Sequence, residues 1–206
     1  MLPFIVIKNI PPLNKKIRKL YMQRAYQIVP KITPFISSKD NLIDIGCGTG
    51  SVAKALKKET LAKVTLVDVA HNPICDEYPI VIYDGENLPF KNNQFTVSLL
   101  TAVLHHTNNP LKVLDEAIRV TSDKIIVAED VFTDFLGRAI TFVGDSILNW
   151  EFHSPFVNKK TGEWLKIFEK KNLRVLNLEE FNLKVVGFPF KLAIFVLSKQ
   201  NEYKKS

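Results

Sequence analysis

Asp44, Gly46, Gly48 and Gly50 stand at alternate positions in the stretch Asn41-Leu-Ile-Asp-Ile-Gly-Cys-Gly-Thr-Gly-Ser51. Alternating glycines let a chain turn tightly and bring backbone N–H groups close to a bound molecule. Asp44 adds a carboxylate just ahead of that turn. A second acid, Asp68, ends the apolar run Val64-Thr-Leu-Val-Asp68 and is followed by Val69. A carboxylate at the tip of such a strand can accept hydrogen bonds from both hydroxyls of a ribose. The alternative role for Asp68 is to cap a helix. His105 and His106 are adjacent, and imidazole exchanges protons near neutral pH. These residue types suit recognition of a nucleotide-like molecule with a proton-transfer group nearby.

Hydrophobic periodicity assigns these residues to elements. Leu42–Ile45 is a short apolar run of strand type, and Val52–Lys58 reads as a helix. Val64–Asp68 is a second strand, and Pro79–Tyr83 a third apolar run closed by Asp84-Gly-Glu-Asn-Leu-Pro-Phe90. A polar turn and Phe95 lead to a fourth strand, Thr96–Leu100, then Thr101-Ala-Val-Leu-His-His106. Asn109-Pro110 starts a helix whose buried face is Leu111, Leu114 and Ile118. Lys124–Ala128 is a fifth strand, and residues 134–149 read as a helix. Thr161 opens a further helix carrying Trp164, Leu165 and Phe168, which Asn172 ends. Leu173–Leu178 and Leu192–Leu197 are the last strands. Near the N-terminus, residues 15–29 form an amphipathic pattern with Ile17, Leu20, Tyr21, Ala25 and Ile28 on one stripe. Pro30 and Pro34 interrupt the chain beyond it. Strand and helix alternate, which argues for a parallel sheet covered on both faces.

The dinucleotide fingerprint requires glycine where this chain has Ser51. That disfavours a nicotinamide-dependent oxidoreductase. Asp44-x-Gly-x-Gly-x-Gly50, Asp68, Asp84-Gly-Glu-Asn-Leu-Pro-Phe90 and Leu104-His-His106, in this order, resemble the type 11 branch of class I S-adenosylmethionine-dependent methyltransferases. The resemblance covers residues 40–130 or so. It implies an α/β, doubly wound, seven-stranded, mostly parallel sheet with an antiparallel last strand, the Rossmann-like methyltransferase fold. It further implies one domain over residues 1–206, with 1–38 as a helical cap and 131–171 as an acceptor lid.

The resemblance assigns S-adenosyl-L-methionine as cofactor. Asp44, Gly46, Cys47, Gly48 and Gly50 would surround its methionine part, with the Cys47 side chain packing inward. Asp68 and Val69 would face the ribose, and Asp84, Gly85 and Glu86 the adenine. In isolation Asp84-Gly85 is simply a turn signal. Thr101 and Ala102 would line the methionine end. His105 or His106 is the candidate base, with His106 preferred, although paired histidines here often only orient or pack. Trp150, Phe152, His153 and Phe156 would shape a flat or apolar acceptor pocket, or else belong to ordinary core. Relatives commonly carry Pro-Gly-Gly before the fifth strand, where this chain has Arg119-Val-Thr-Ser-Asp-Lys124.

Composition narrows the acceptor. The chain has 206 residues, 46% hydrophobic and 24% charged, as in an ordinary globular domain. No stretch has the ~20 apolar residues of a membrane helix, and the N-terminus lacks the marks of a signal peptide. Cys47 and Cys75 give neither a disulfide framework nor a metal-ligand spacing, so a reducing, cytoplasmic setting is expected and no metal. The net charge of +7 includes a cluster at Lys15, Lys16, Arg18, Lys19 and Arg24. A solvated lysine-rich surface accounts for it, and RNA or an anionic surface is the alternative. The Asn/Asp-Pro-Pro-Tyr/Phe motif of amino-methylating nucleic-acid enzymes is missing after the fourth strand, and no Pro-Cys pair suits attack on cytosine. A small-molecule or lipid acceptor is therefore expected. RNA methylation and a catalytically silent partner role are the alternatives.

Overall fold

The computed structural model describes residues 11–71, 78–132, 158–185 and 188–200. The chain starts with α1 (Pro11–Ile32), β1 (Asn41–Ile45), α2 (Ser51–Thr60), β2 (Lys63–Asp68) and β3 (Ile80–Ile82). It continues with β4 (Phe95–Thr101), α3 (Pro110–Val120) and β5 (Thr121–Val131). It closes with α4 (Thr161–Lys170), β6 (Leu173–Val185) and β7 (Phe188–Lys199). The strands form one 7-stranded sheet in the order β3-β2-β1-β4-β5-β7-β6. β1 to β5 pair in parallel, and β7 runs antiparallel to both its neighbours. The implied doubly wound methyltransferase topology is therefore present.

The direction of winding reverses between β1 and β4, which lie side by side. Open α/β sheets bind ligands at such a switch point, past the carboxyl ends of the strands. The glycine run begins where β1 ends.

Side chains alternate across β1. Leu42 joins an apolar cluster with Ala25, Ile28, Val29 and Ile32 of α1 and Ala53 and Leu56 of α2. Ile43 and Ile45 join the opposite cluster, with Val113, Leu114 and Ala117 of α3 and Trp164 and Phe168 of α4. Phe168 meets the Phe195 ring edge-on at 5.0 Å between centroids. Asn109 caps α3 through the Lys112 N–H, as Asn109-Pro110 suggests. Asn172 ends α4 in the left-handed conformation, at φ 55°.

Several boundaries differ from the sequence reading. α1 runs past residue 29 to Ile32, and Pro30 sits inside its last turn. β3 shortens to Ile80–Ile82. β5 begins at Thr121, directly after α3, and this replaces the missing Pro-Gly-Gly turn. The Thr121 hydroxyl bonds the Ala117 carbonyl and the Ser98 hydroxyl, tying helix end to strand. The closing hairpin is longer than its apolar runs, because β6 and β7 remain paired from Leu173↔Lys199 to Val185↔Phe188. Pro189 fits there because β5 pairs with β7 only as far as Lys191, so its missing N–H costs no bond on that side. The helix expected over 134–149, the aromatic residues of 150–156 and Cys75 lie outside the described residues.

Candidate cofactor site

The glycine run folds back over β2. Gly46 and Cys47 both donate their N–H to the Val67 carbonyl, at 2.8 and 3.1 Å. Gly48 donates to Asp68 Oδ2 at 2.7 Å, and Asp68 Oδ1 accepts the Val69 N–H at 2.7 Å. Gly50 then caps α2 in the left-handed region, at φ 67°. Two glycines here have distinct reasons. A β-carbon at Gly46 would stand 2.7 Å from Val103 Cγ2, so the loop requires glycine for close approach as well as for its φ of 70°. At Gly48, also with positive φ, a β-carbon would meet nothing within 4 Å. Open space stands over Gly48. Cys47 is buried and packs with the α1–α2 cluster, as expected.

Asp44 is 2% exposed, and its Oδ2 has no hydrogen-bond partner among the described residues. Burial, and then the neighbouring Asp68 carboxylate, push its pKa up to about 7. A buried acceptor left unsatisfied is costly unless a ligand supplies a donor. A cationic donor would relieve both the burial and the repulsion.

The far side of Asp68 is apolar. Val69 is 58% exposed, and a β-carbon at Gly85 would lie 3.2 Å from its Cγ1. Asp84 accepts the N–H of Asn87 at 2.6 Å and of Glu86 at 2.8 Å, and the Asn87 side-chain amide at 3.0 Å. Those bonds, led by the Asn87 N–H, hold its carboxyl down at about 2. The loop beyond is clamped from α3. Glu116 accepts the Leu88 N–H, and Arg119 pairs with Glu116 and donates to the Leu88 and Phe90 carbonyls.

The third wall leaves β4. Ala102 takes a φ of 54° and donates to the Ala128 carbonyl at 2.7 Å. The next two amides, Val103 and Leu104, donate to Glu129 Oε1 at 3.0 and 2.8 Å. His105 is fully buried, and its Nδ1 bonds Glu129 Oε2. His106 is only half-buried, with its ring 4.0 Å from that of His105. Of the pair, His106 alone faces outward.

Asp44, Gly46, Gly48, Gly50, Asp68, Val69, Gly85 and the Thr101–Ala102 turn thus gather at one end of the sheet. Glu129 escaped the sequence reading. Its signal is an acid directly after the apolar run of β5, and Asp130 repeats it toward the other face. Asp130 is buried and takes Arg24 of α1 at 2.8 Å.

The family model for the type 11 methyltransferase domain matches residues 43–127. The chain carries a methyltransferase domain. Its cofactor is S-adenosylmethionine, and the unpartnered Asp44 oxygen and the open space at Gly48 fit that molecule. The methyltransferase domain is 36% identical over 80 residues to the human mitochondrial arginine hydroxylase NDUFAF5, covering 36% of this chain and 23% of that protein. The match therefore spans about a quarter of that relative's length. A longer match is to the uncharacterised protein MJ1252 of Methanocaldococcus jannaschii, 29% identical over 193 residues, with 91% and 72% covered. A tRNA (carboxymethyluridine(34)-5-O)-methyltransferase of Schizosaccharomyces pombe is 31% identical over 114 residues, with 50% and 48% covered. Among solved structures, a Thermotoga maritima S-adenosylmethionine-dependent methyltransferase, described as a possible histamine N-methyltransferase, superposes with a TM-score of 0.70. The two share 16% identity, and 96% and 100% of the chains are covered, so this likeness establishes the fold.

Proposed function

We propose that the protein transfers the methyl group of S-adenosylmethionine to a small-molecule or lipid acceptor. The observation that carries the reading is the buried, unpartnered Asp44 oxygen beside the open space over Gly48. In this reading Asp44 receives the cofactor's ammonium, and the Gly46–Gly50 backbone, with Cys47, surrounds the methionine chain. Asp68 accepts the ribose hydroxyls and holds Gly48 in place. Val69 and Gly85, which lie against each other, form one wall for the adenine, with Asp84 and the Glu86 backbone at its edge. Thr101 and Ala102 form the wall at the reacting end.

The bound cofactor supplies an already activated methyl group. The protein must hold the acceptor in line and remove one proton if the acceptor carries one. His106 is the group for that task, because it sits at the exit of β4 and is partly exposed, whereas His105 is buried. We also infer one domain, with residues 1–38 as a cap and 131–171 as the acceptor lid, anchored at its end by Trp164 and Phe168. A cytoplasmic setting belongs to the same reading.

A small acceptor is favoured because Thr101-Ala-Val-Leu104 stands at the end of β4, where amino-methylating nucleic-acid enzymes carry Asn/Asp-Pro-Pro-Tyr/Phe. RNA is the second reading, supported by the net charge of +7 and the similarity to a tRNA methyltransferase. A thermal-shift screen of metabolites, lipids and tRNA, with S-adenosylhomocysteine present, tests the choice. A stabilising small molecule or lipid that is then methylated supports the proposal. Methylated tRNA, bound with steep salt dependence, overturns it.

A further inference from the structure

The carboxylate of Glu129 accepts three hydrogen bonds from consecutive residues of one turn: the N–H of Val103, the N–H of Leu104 and the ring Nδ1 of His105. Every one of these groups is buried. The turn follows Ala102, whose φ of 54° is unfavourable for a residue with a β-carbon. Such a conformation persists only where the surroundings hold it. The Ala102 N–H is tied to Ala128, and the next two are tied to Glu129, both on β5. Val103 in turn packs against Gly46, so the same turn forms one wall of the glycine loop.

We propose that Glu129 is a positioning residue for the reacting end of the site, holding residues 102–106 as one rigid piece and fixing a proton on Nδ1 of His105. The proposal rests on the reading that this turn faces the cofactor. A buried carboxylate that only accepts leaves each of its partners as a donor. His105 must therefore carry its proton on the nitrogen facing Glu129. The ring is locked by that bond, and the tilted His106 ring lies against it, 4.0 Å away between centroids. Burial alone would raise the Glu129 pKa, but the neighbouring His105 and the bonds from its ring and both amides hold it below the usual carboxylate range. Glu129 reaches no cofactor atom in this scheme, and its effect passes through the turn.

Two variants test this. In Glu129→Gln the amide oxygen still accepts both N–H groups, but the amide nitrogen can only donate to His105. The ring proton must then move to Nε2. Glu129→Leu removes all three bonds and leaves two buried N–H groups without acceptors. Ring-nitrogen NMR of His105 and calorimetry with S-adenosylhomocysteine are the readouts. The expected results are Nδ1 protonation in the wild type, transfer to Nε2 in Glu129→Gln, and at least about a tenfold loss of affinity in Glu129→Leu. An unchanged tautomer in folded Glu129→Gln overturns the proposal, as does wild-type affinity in folded Glu129→Leu. If Glu129→Leu does not fold, the tautomer of Glu129→Gln decides alone. The NMR measurement needs no ligand, so failure of the wild type to bind S-adenosylhomocysteine would strike the cofactor reading separately.

Discussion

Gly46 and Val103 approach so closely that a β-carbon on the glycine would stand 2.7 Å from one valine methyl and 2.8 Å from the other. The contact joins the turn after β1 to the turn after β4 across the switch point of the sheet. It also separates the roles of two neighbouring glycines. Gly46→Ala adds a steric clash to a left-handed backbone and should cost about 2–4 kcal/mol of stability. Gly48→Ala meets open space and should cost only about 1–2 kcal/mol, yet its β-carbon enters the volume assigned to the cofactor. Urea melts and calorimetry should therefore show a folded Gly48→Ala protein with at least tenfold weaker S-adenosylhomocysteine binding, on the order of 1.4 kcal/mol. Wild-type affinity in that variant would place the cofactor elsewhere.

Asp44 gives a pH signature. Its pKa is raised to about 7, by burial first and by Asp68 second. The folded protein holds this proton more tightly than the unfolded chain, whose carboxyl titrates near ~3.9. The stability this contributes is complete below the unfolded value and is lost as pH rises through about 7. Asp44→Asn cannot ionise, so its melts should lose less stability than the wild type between about pH 5 and pH 8. A cationic ligand works in the opposite direction. Binding of S-adenosylhomocysteine should release a proton near neutral pH, seen as a buffer-dependent heat in the wild type and not in Asp44→Asn. Equal pH slopes for the two proteins would contradict the assignment.

The Arg24–Asp130 pair ties α1 to the end of β5, with side chains 12% and 0% exposed. Breaking so buried a pair by removing one partner costs about 3–5 kcal/mol. Arg24→Met should show that loss in urea melts. A loss in Arg24→Met below about 1 kcal/mol, the value of a surface pair, would mean the pair is solvated.

The parts of this architecture that obey local rules were legible in the sequence. Leu42–Ile45, Val64–Asp68 and Thr96–Leu100 announce buried parallel strands by apolar runs, and Asn109-Pro110 announces α3 by its cap. Asp44, Gly46, Gly48, Gly50 and Asp68 were legible because a turn of this kind demands those types at that spacing. Glu129 was not, because its role depends on the pairing of β5 with β4, and no local pattern reveals which turn a buried acid will meet. The boundaries missed were also tertiary. β6 and β7 extend well beyond their apolar runs because strand pairing continues past the core. The identity of the acceptor depends on groups that approach from several elements, so no single motif declares it.

Everything assigned to the glycine loop depends on S-adenosylmethionine binding there. Calorimetry with S-adenosylhomocysteine and with NAD, on the wild type and on Asp68→Ala, is the decisive measurement. Asp68 grips Gly48 and is assigned both ribose hydroxyls, and a hydrogen bond to a charged group is worth about 1.5–3 kcal/mol. The expected result is micromolar binding of S-adenosylhomocysteine to the wild type, at least about a tenfold loss in folded Asp68→Ala, and no binding of NAD. Binding of NAD without S-adenosylhomocysteine, or an unchanged affinity in Asp68→Ala, would contradict that assignment.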